Sequence, residues 1–324
     1  MSLATAARPL APPLPPGAVL APGYEVLAHL DRTGWLDLYD AWSGERDCRC
    51  VVKALRPDRR REGAGPAERL LREGRWLRRF THPHLVRAYE TFESPEPLVV
   101  LETLAGETLS HLIGRLPRRA SAADVAVLGG QLCSAVHYLH GQGLLHLDLK
   151  PANVVVECGR AKVLDLSVAR PPGTAPAGIG TFGYMAPEQA RGGPLSAAAD
   201  VWGIGVILYE LATGELPFDL GDTADGTAEG ATGGATDGTG DGTTDGATGR
   251  ATDGALGGAA PYWYPQLEES APPVSARRRL PAALAAAVDG CLRPDPADRP
   301  SVPELSAALD ATSPRRRRDT RDAG

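Results

Sequence analysis

The chain has 324 residues, 43% of them hydrophobic, enough for one large domain with a buried core. Five scattered cysteines (Cys48, Cys50, Cys133, Cys158 and Cys291) form no Cys-x-x-Cys pair, which argues against a disulfide framework or a zinc site and for a reducing, cytoplasmic compartment. No run of 18 apolar residues occurs, so no membrane span is expected, and the formal charge of −6 resides in residues 219–260, which carry seven Asp and one Glu against one Arg.

Residues 1–23 are rich in Ala and Pro and lack the charged start and unbroken apolar core of a signal peptide, so they read as a flexible arm. From Tyr24, the apolar segments 24–30, 36–42 and 48–55 alternate with turn residues and predict three antiparallel strands. The third ends on Cys50-Val51-Val52-Lys53, with Cys48 and Cys50 on one face as packing residues. Pro66 to Phe80 carries Leu70, Trp76 and Leu77 at helical spacing, with Glu73 among its charges. Residues 56–79 hold nine Arg against four acids, but no interleaved aromatic residues for stacking on bases, so this basic face reads as solvated.

Leu98-Val99-Val100-Leu101-Glu102 predicts a strand running into a connector through Leu104. Ala122 to Gly141 places Val125, Leu128, Leu132, Val136 and Leu139 on one helical stripe, within which Gly129 and Gly130 are unfavourable; each costs about 1 kcal/mol against Ala. Then comes His146-Leu147-Asp148-Leu149-Lys150-Pro151-Ala152-Asn153, opening into Val154-Val155-Val156. It sets a carboxylate, an ammonium and a carboxamide close together on a loop. Phosphoryl transfer needs such a set: an acid for the hydroxyl proton, a cation near the phosphate, and an amide oxygen for a metal ion.

Further on stand Leu164-Asp165-Leu166-Ser167, then Gly180-Thr181-Phe182-Gly183-Tyr184-Met185-Ala186-Pro187-Glu188, Asp200-Val201-Trp202-Gly203 and Asp295-Pro296-Ala297-Asp298-Arg299-Pro300. The intervening 219–260 stretch repeats Thr-Asp-Gly at 236–238, 244–246 and 252–254. A calcium-binding repeat would need a large apolar residue in each unit, and Leu256 is nearly alone, so disorder is expected. Residues 311–324, with Arg315 to Arg318, read as a solvated basic tail.

Taken in order, these motifs resemble those of eukaryotic-like, bacterial-type serine/threonine protein kinases, over Tyr24 to about Leu309 outside the 219–260 insert. The resemblance implies an α+β, bilobal protein-kinase-like fold: a β-rich N-lobe over about 24–102, with the Pro66 to Phe80 helix as helix C, and an α-helical C-lobe over about 107–310. It implies ATP and Mg²⁺ (or Mn²⁺) as cofactors and a protein Ser/Thr hydroxyl as acceptor, including the chain's own. It implies neither a nucleic-acid partner nor a particular oligomeric state. Asp148 would accept the hydroxyl proton and Lys150 would stabilise the transferring phosphate; Asn153 and Asp165 would hold the metal. ATP would meet Leu30, Gly34, Leu38, Val51, the backbone of Glu102 and Leu104, and Lys53 held by Glu73, with Leu101 as gatekeeper. Thr181 would bond the catalytic Asp and Lys, Asp200 would brace the catalytic loop, and Glu188 would pair with Arg299.

Three departures matter. Asp31, Thr33 and Leu36 stand where the family has the glycines of its phosphate loop, so only Gly34 remains there. Asp165-Leu166-Ser167 replaces Asp-Phe-Gly, and Leu147 replaces the arginine that meets a phosphate on the activation segment, so activity is expected not to depend on phosphorylation of Thr174 or Thr181. The first two departures leave a pseudokinase scaffold as the alternative, opposed by the intact Lys53, Glu73, Asp148, Asn153 and Asp165. A small-molecule phosphotransferase of similar fold conflicts with the Ala186-Pro187-Glu188 segment and the Asp200 helix.

Overall fold

A computed structural model describes residues 11–58, 65–116, 119–219 and 264–312. Most of the 219–260 insert, the tail beyond Thr312, residues 1–10 and part of the basic 56–79 run therefore lie outside the described residues. The chain divides into two compact units: residues up to Thr81 together with Arg87–Thr103, and His82–Val86 together with the residues from Leu104 onward.

The first unit is an antiparallel sheet with a helix packed on it. Its strands are β1 (Val19–Ala21), β2 (Tyr24–Arg32), β3 (Leu36–Ser43), β4 (Cys48–Leu55), β5 (Ala88–Phe92) and β6 (Leu98–Glu102), in the order β1-β2-β3-β4-β6-β5. Alternation decides which side chains go inward: Tyr24, Val26, Tyr39, Ala41, Cys50, Val52, Leu98 and Val100 form one core cluster. Helix α1 (Gly65–Arg79) packs against β4, β5 and β6, burying Leu70, Glu73 and Leu77.

Two expectations are corrected here. Part of the arm drawn over 1–23 is ordered: β1 pairs with the free edge of β2, and Leu14 N–H donates to the Tyr39 hydroxyl at 3.0 Å. Val19-Leu20-Ala21 is an apolar run that can complete the sheet edge, and edge pairing satisfies its backbone. The phosphate-loop segment is also tighter than its alignment implied. Without glycine at Asp31 and Leu36, the backbone stays extended, and β2 and β3 close over Thr33-Gly34-Trp35 alone. Arg32 and Asp37, partners in the ladder, are tied by two hydrogen bonds of 2.6 and 2.9 Å.

The second unit is mainly helical. Two short strands, β7 (Glu107–Thr108) and β8 (Val154–Glu157), join β9 (Arg160–Val163) in a three-stranded sheet; β10 (Gly173–Ala175) pairs with β11 (Gly193–Leu195). The helices are α2 (Leu109–Arg115), α3 (Ala122–Gly141), α4 (Pro187–Arg191), α5 (Ala197–Thr213), α6 (Val274–Arg277), α7 (Ala282–Cys291) and α8 (Val302–Thr312). Helix α3 starts at a Ser121/Asp124 capping box, and α5 starts at Ser196 and stops at left-handed Gly214.

The apolar stripe of α3 is buried, but so are Ala126, Gly129, Cys133 and Ala135, because α5 and α8 both pack against it. That gives Gly129 its reason: a Cβ there would lie 2.7 Å from Leu309 and 3.0 Å from Leu208. Close helix packing offsets its propensity cost. Helix α5 is almost wholly buried and forms the centre of this unit.

Candidate active site

In the first unit, β4 presents Lys53 opposite Leu38 of β3, and α1 presents Glu73. Lys53 Nζ lies 2.7 Å from Glu73 Oε1, with the Glu73 side chain fully buried. A buried carboxylate beside an ammonium fixes the lysine in one direction. Val51 pairs with Leu101 across β4 and β6, and the Glu102 N–H donates to Arg87 O at 2.9 Å. Leu30 is exposed, while Leu38, Val51 and Leu104 are half-buried.

In the second unit, the 146–153 loop is held from several sides. Asp200, in the first turn of α5, accepts the His146 N–H at 2.8 Å and the Leu147 N–H at 2.7 Å, and its Oδ2 also meets His140 Nε2 at 2.8 Å. Leu147 is buried with φ of 64°, a left-handed turn that costs about 1–3 kcal/mol and persists only when its surroundings fix it. The Gln189 amide supplies the other restraint, donating to Leu147 O and to Ile179 O, each at 2.8 Å.

These restraints place the polar groups. The Thr181 hydroxyl donates to Asp148 Oδ1 at 2.6 Å and accepts from Lys150 Nζ at 2.8 Å. Lys150 Nζ is 3.6 Å from Asp148 Oδ2. Asn153 Nδ2 donates to Asp148 O at 2.9 Å and to Asp148 Oδ2 at 3.0 Å, which leaves the Asn153 oxygen available to a cation. Asp165 has φ of 56°, and its Oδ1 accepts the Ser167 N–H at 3.1 Å. Backbone bonding ties the two metal-ligand candidates together, since Leu164 N–H donates to Asn153 O at 2.8 Å.

Farther along, the Arg299 guanidinium grips Glu188 with two bonds of 2.7 and 2.9 Å and stacks over Trp202 at 4.9 Å. Tyr184 donates to Glu210 Oε2 at 2.8 Å. Burial pushes the Tyr184 phenol far above its ordinary range and raises the Glu210 carboxyl, against the lowering effect of the Tyr184 hydrogen bond.

Sequence reasoning missed Gln189, His140, Glu210 and the Arg32–Asp37 pair. Gln189 directly follows a recognised motif, but nothing local says that its amide reaches two distant carbonyls. The Arg32–Asp37 pair had a weak signal, since opposite charges stand on either side of the four residues 33–36.

The sheet unit with its Lys–Glu pair and the helical unit with its Asp–Lys–Asn–Thr cluster make up the protein kinase fold. The chain belongs to the protein kinase domain family, whose model matches residues 37–308. It is 36% identical over 188 residues to the serine/threonine-protein kinase PknB of Mycobacterium leprae, covering 53% of this chain and 29% of that protein. It is 33% identical over 230 residues to the DNA damage-responsive kinase RqkA of Deinococcus radiodurans, covering 65% of this chain and 32% of that one. The chain thus spans about a third of the length of these curated relatives. The crystal structure of a point mutant of the Mycobacterium tuberculosis PknI kinase domain matches with a TM-score of 0.63 at 22% identity, over 93% of this chain and 99% of that one. No helix among the described residues is long and apolar enough to cross a membrane.

Proposed function

We propose that the chain is a serine/threonine protein kinase that transfers the γ-phosphoryl group of ATP to a protein Ser or Thr hydroxyl, its own included. The supporting observation is the Asp148 carboxylate, aimed by Thr181 on one oxygen and Asn153 on the other, with the Lys150 ammonium beside it. In the reaction, the acceptor oxygen bonds to the γ-phosphorus while the bond to the β,γ-bridging oxygen breaks and ADP leaves. The acceptor proton passes to Asp148, and Lys150 offsets charge on the moving phosphoryl oxygens. Lys53, held by Glu73, binds the α- and β-phosphates.

The family uses ATP with a divalent cation, and the donor set here suits Mg²⁺ or Mn²⁺: a carboxylate on Asp165 and a carboxamide oxygen on Asn153, both hard oxygen donors. When bound, the cation neutralises phosphate charge. Leu30, Leu38, Val51, Leu104 and the Glu102 backbone would contact the nucleotide base, with Gly34 at the phosphates. Glu188–Arg299 and Asp200 act as structural braces. All five cysteines are unpaired thiols, which suits a cytoplasmic enzyme.

The test is transfer of labelled γ-phosphate from Mg·ATP to the protein and to a basic protein acceptor, beside Asp148→Asn. Wild type should label Ser or Thr, and the variant should lose about 10²–10⁴-fold in rate. ATP binding with no transfer by wild type would replace this reading with the scaffold.

A further inference from the structure

The loop that should hold the phosphates lacks the family's glycines, yet its backbone is held in place by other means. Arg56, just past the end of β4, is buried and meets three consecutive loop carbonyls. Its Nη1 donates to Thr33 O at 2.9 Å and to Gly34 O at 3.4 Å, and its backbone N–H donates to Trp35 O at 3.0 Å. Asp58 fixes the guanidinium from behind, with bonds of 3.1 and 2.6 Å to Nε and Nη2. Within the turn, Thr33 N–H donates to Leu36 O at 2.9 Å, and Leu36 N–H donates to the Thr33 hydroxyl at 3.1 Å. Trp35 is held from a second side by Arg69 of α1, whose guanidinium lies 5.5 Å from its ring centroid; Glu73 stands one turn later on that helix.

The consequence follows from the trans peptide, in which each carbonyl points opposite to the N–H of the next residue. With the Thr33 and Gly34 carbonyls turned toward Arg56, the N–H groups of Gly34 and Trp35 point away from it. Neither meets an acceptor among the described residues. Two successive N–H groups on one side of a turn form a concavity suited to anions. Gly34 needs no special conformation, and a Cβ on it would meet nothing within 4 Å, so its side is open to a ligand.

We propose that Arg56 is the positioning residue of the phosphate site. It takes over the work of the missing glycines by turning the loop carbonyls inward, so that the Gly34 and Trp35 N–H groups are preset for the phosphates of a nucleoside di- or triphosphate. This rests on the kinase reading and adds a residue with no counterpart in the loop motif. Arg56 itself does not touch the nucleotide.

The test is calorimetric binding of Mg·ATP, Mg·ADP and adenosine to the full chain and its variants. Arg56→Ala should weaken ATP and ADP about tenfold or more, the worth of one or two hydrogen bonds to a charged group, and leave adenosine within about twofold. Arg56→Lys, which can still reach one carbonyl, should recover part of the loss. Gly34→Val gives an independent check where Arg56→Ala folds poorly, because a Cβ at that position meets nothing within 4 Å. It too should weaken ATP and spare adenosine. Unchanged ATP binding in a folded Arg56→Ala (or in Gly34→Val where Arg56→Ala does not fold), or equal losses for ATP and adenosine, overturns the inference while the kinase reading stands. A wild type that binds neither ATP nor adenosine overturns both.

Discussion

At the scale of single residues, the site depends on a glycine that no catalytic description would include. Gly180 has φ of 108°, and a Cβ on it would lie 2.7 Å from Leu147 O and 3.0 Å from Gln189 Nε2. Those are the two atoms whose hydrogen bond holds the catalytic loop from below. Gly180→Ala therefore strains its own backbone and presses on that bond, and it should lower stability by about 1–3 kcal/mol. Gln189→Leu leaves the buried Leu147 and Ile179 carbonyls without this donor, at about 1–3 kcal/mol for each unsatisfied group. Because the two changes damage the same contact, the double variant should lose less than the sum of the single losses. Urea unfolding of all four proteins checks this; strictly additive losses would show that Gly180 matters for some other reason.

At the scale of elements, helix α5 anchors two functional segments. Its first turn holds the catalytic loop through Asp200, and its last turns hold the end of the activation segment through Glu210 and Tyr184. Asp200 is well placed, since an N-terminal carboxylate also interacts favourably with the helix dipole. Glu210 is a liability. Burial raises its pKa above the ordinary 4.5, so the folded protein binds that proton more tightly than the unfolded chain does. This contribution is fully present below about pH 4.5 and is lost as pH rises through the raised value. Glu210→Gln cannot ionise, yet it keeps an oxygen to accept from Tyr184. The variant's melting temperature relative to wild type should therefore climb as pH rises from about 4 to about 8, where wild type has lost that contribution. A flat difference across that range would mean that Glu210 does not ionise at a cost. None of this was legible beforehand, because Glu210 sits in an apolar helix pattern and its partner lies 26 positions away.

At the scale of the whole molecule, the kinase fold and the candidate polar groups were legible because each motif carries its chemistry within a few consecutive residues. Lys53, Glu73, Asp148, Asn153 and Asp165 are each named by local pattern and chain order. What was not legible is what holds them: Gln189, the Arg56 clamp and the double-sided burial of α3 all arise from contacts between distant segments, which no local period records. The same distinction bears on regulation. Leu147 offers no positive charge for a phosphorylated activation segment to meet, and its backbone is held by fixed contacts: Asp200 on the Leu147 N–H and Gln189 on its carbonyl. The segment itself is pinned by the β10–β11 pairing and by Arg299 on Glu188. Thr174 joins that pairing, opposite Pro194, through its backbone, while its side chain is exposed and makes none of these contacts. Thr174→Ala should thus keep kcat/KM within about twofold of wild type, as for an ordinary surface change, and Thr174→Glu should not raise it. If alanine at 174 abolished turnover and glutamate restored it, a phosphate would have to be meeting a cation elsewhere in the chain, and these restraints would not by themselves hold the active arrangement.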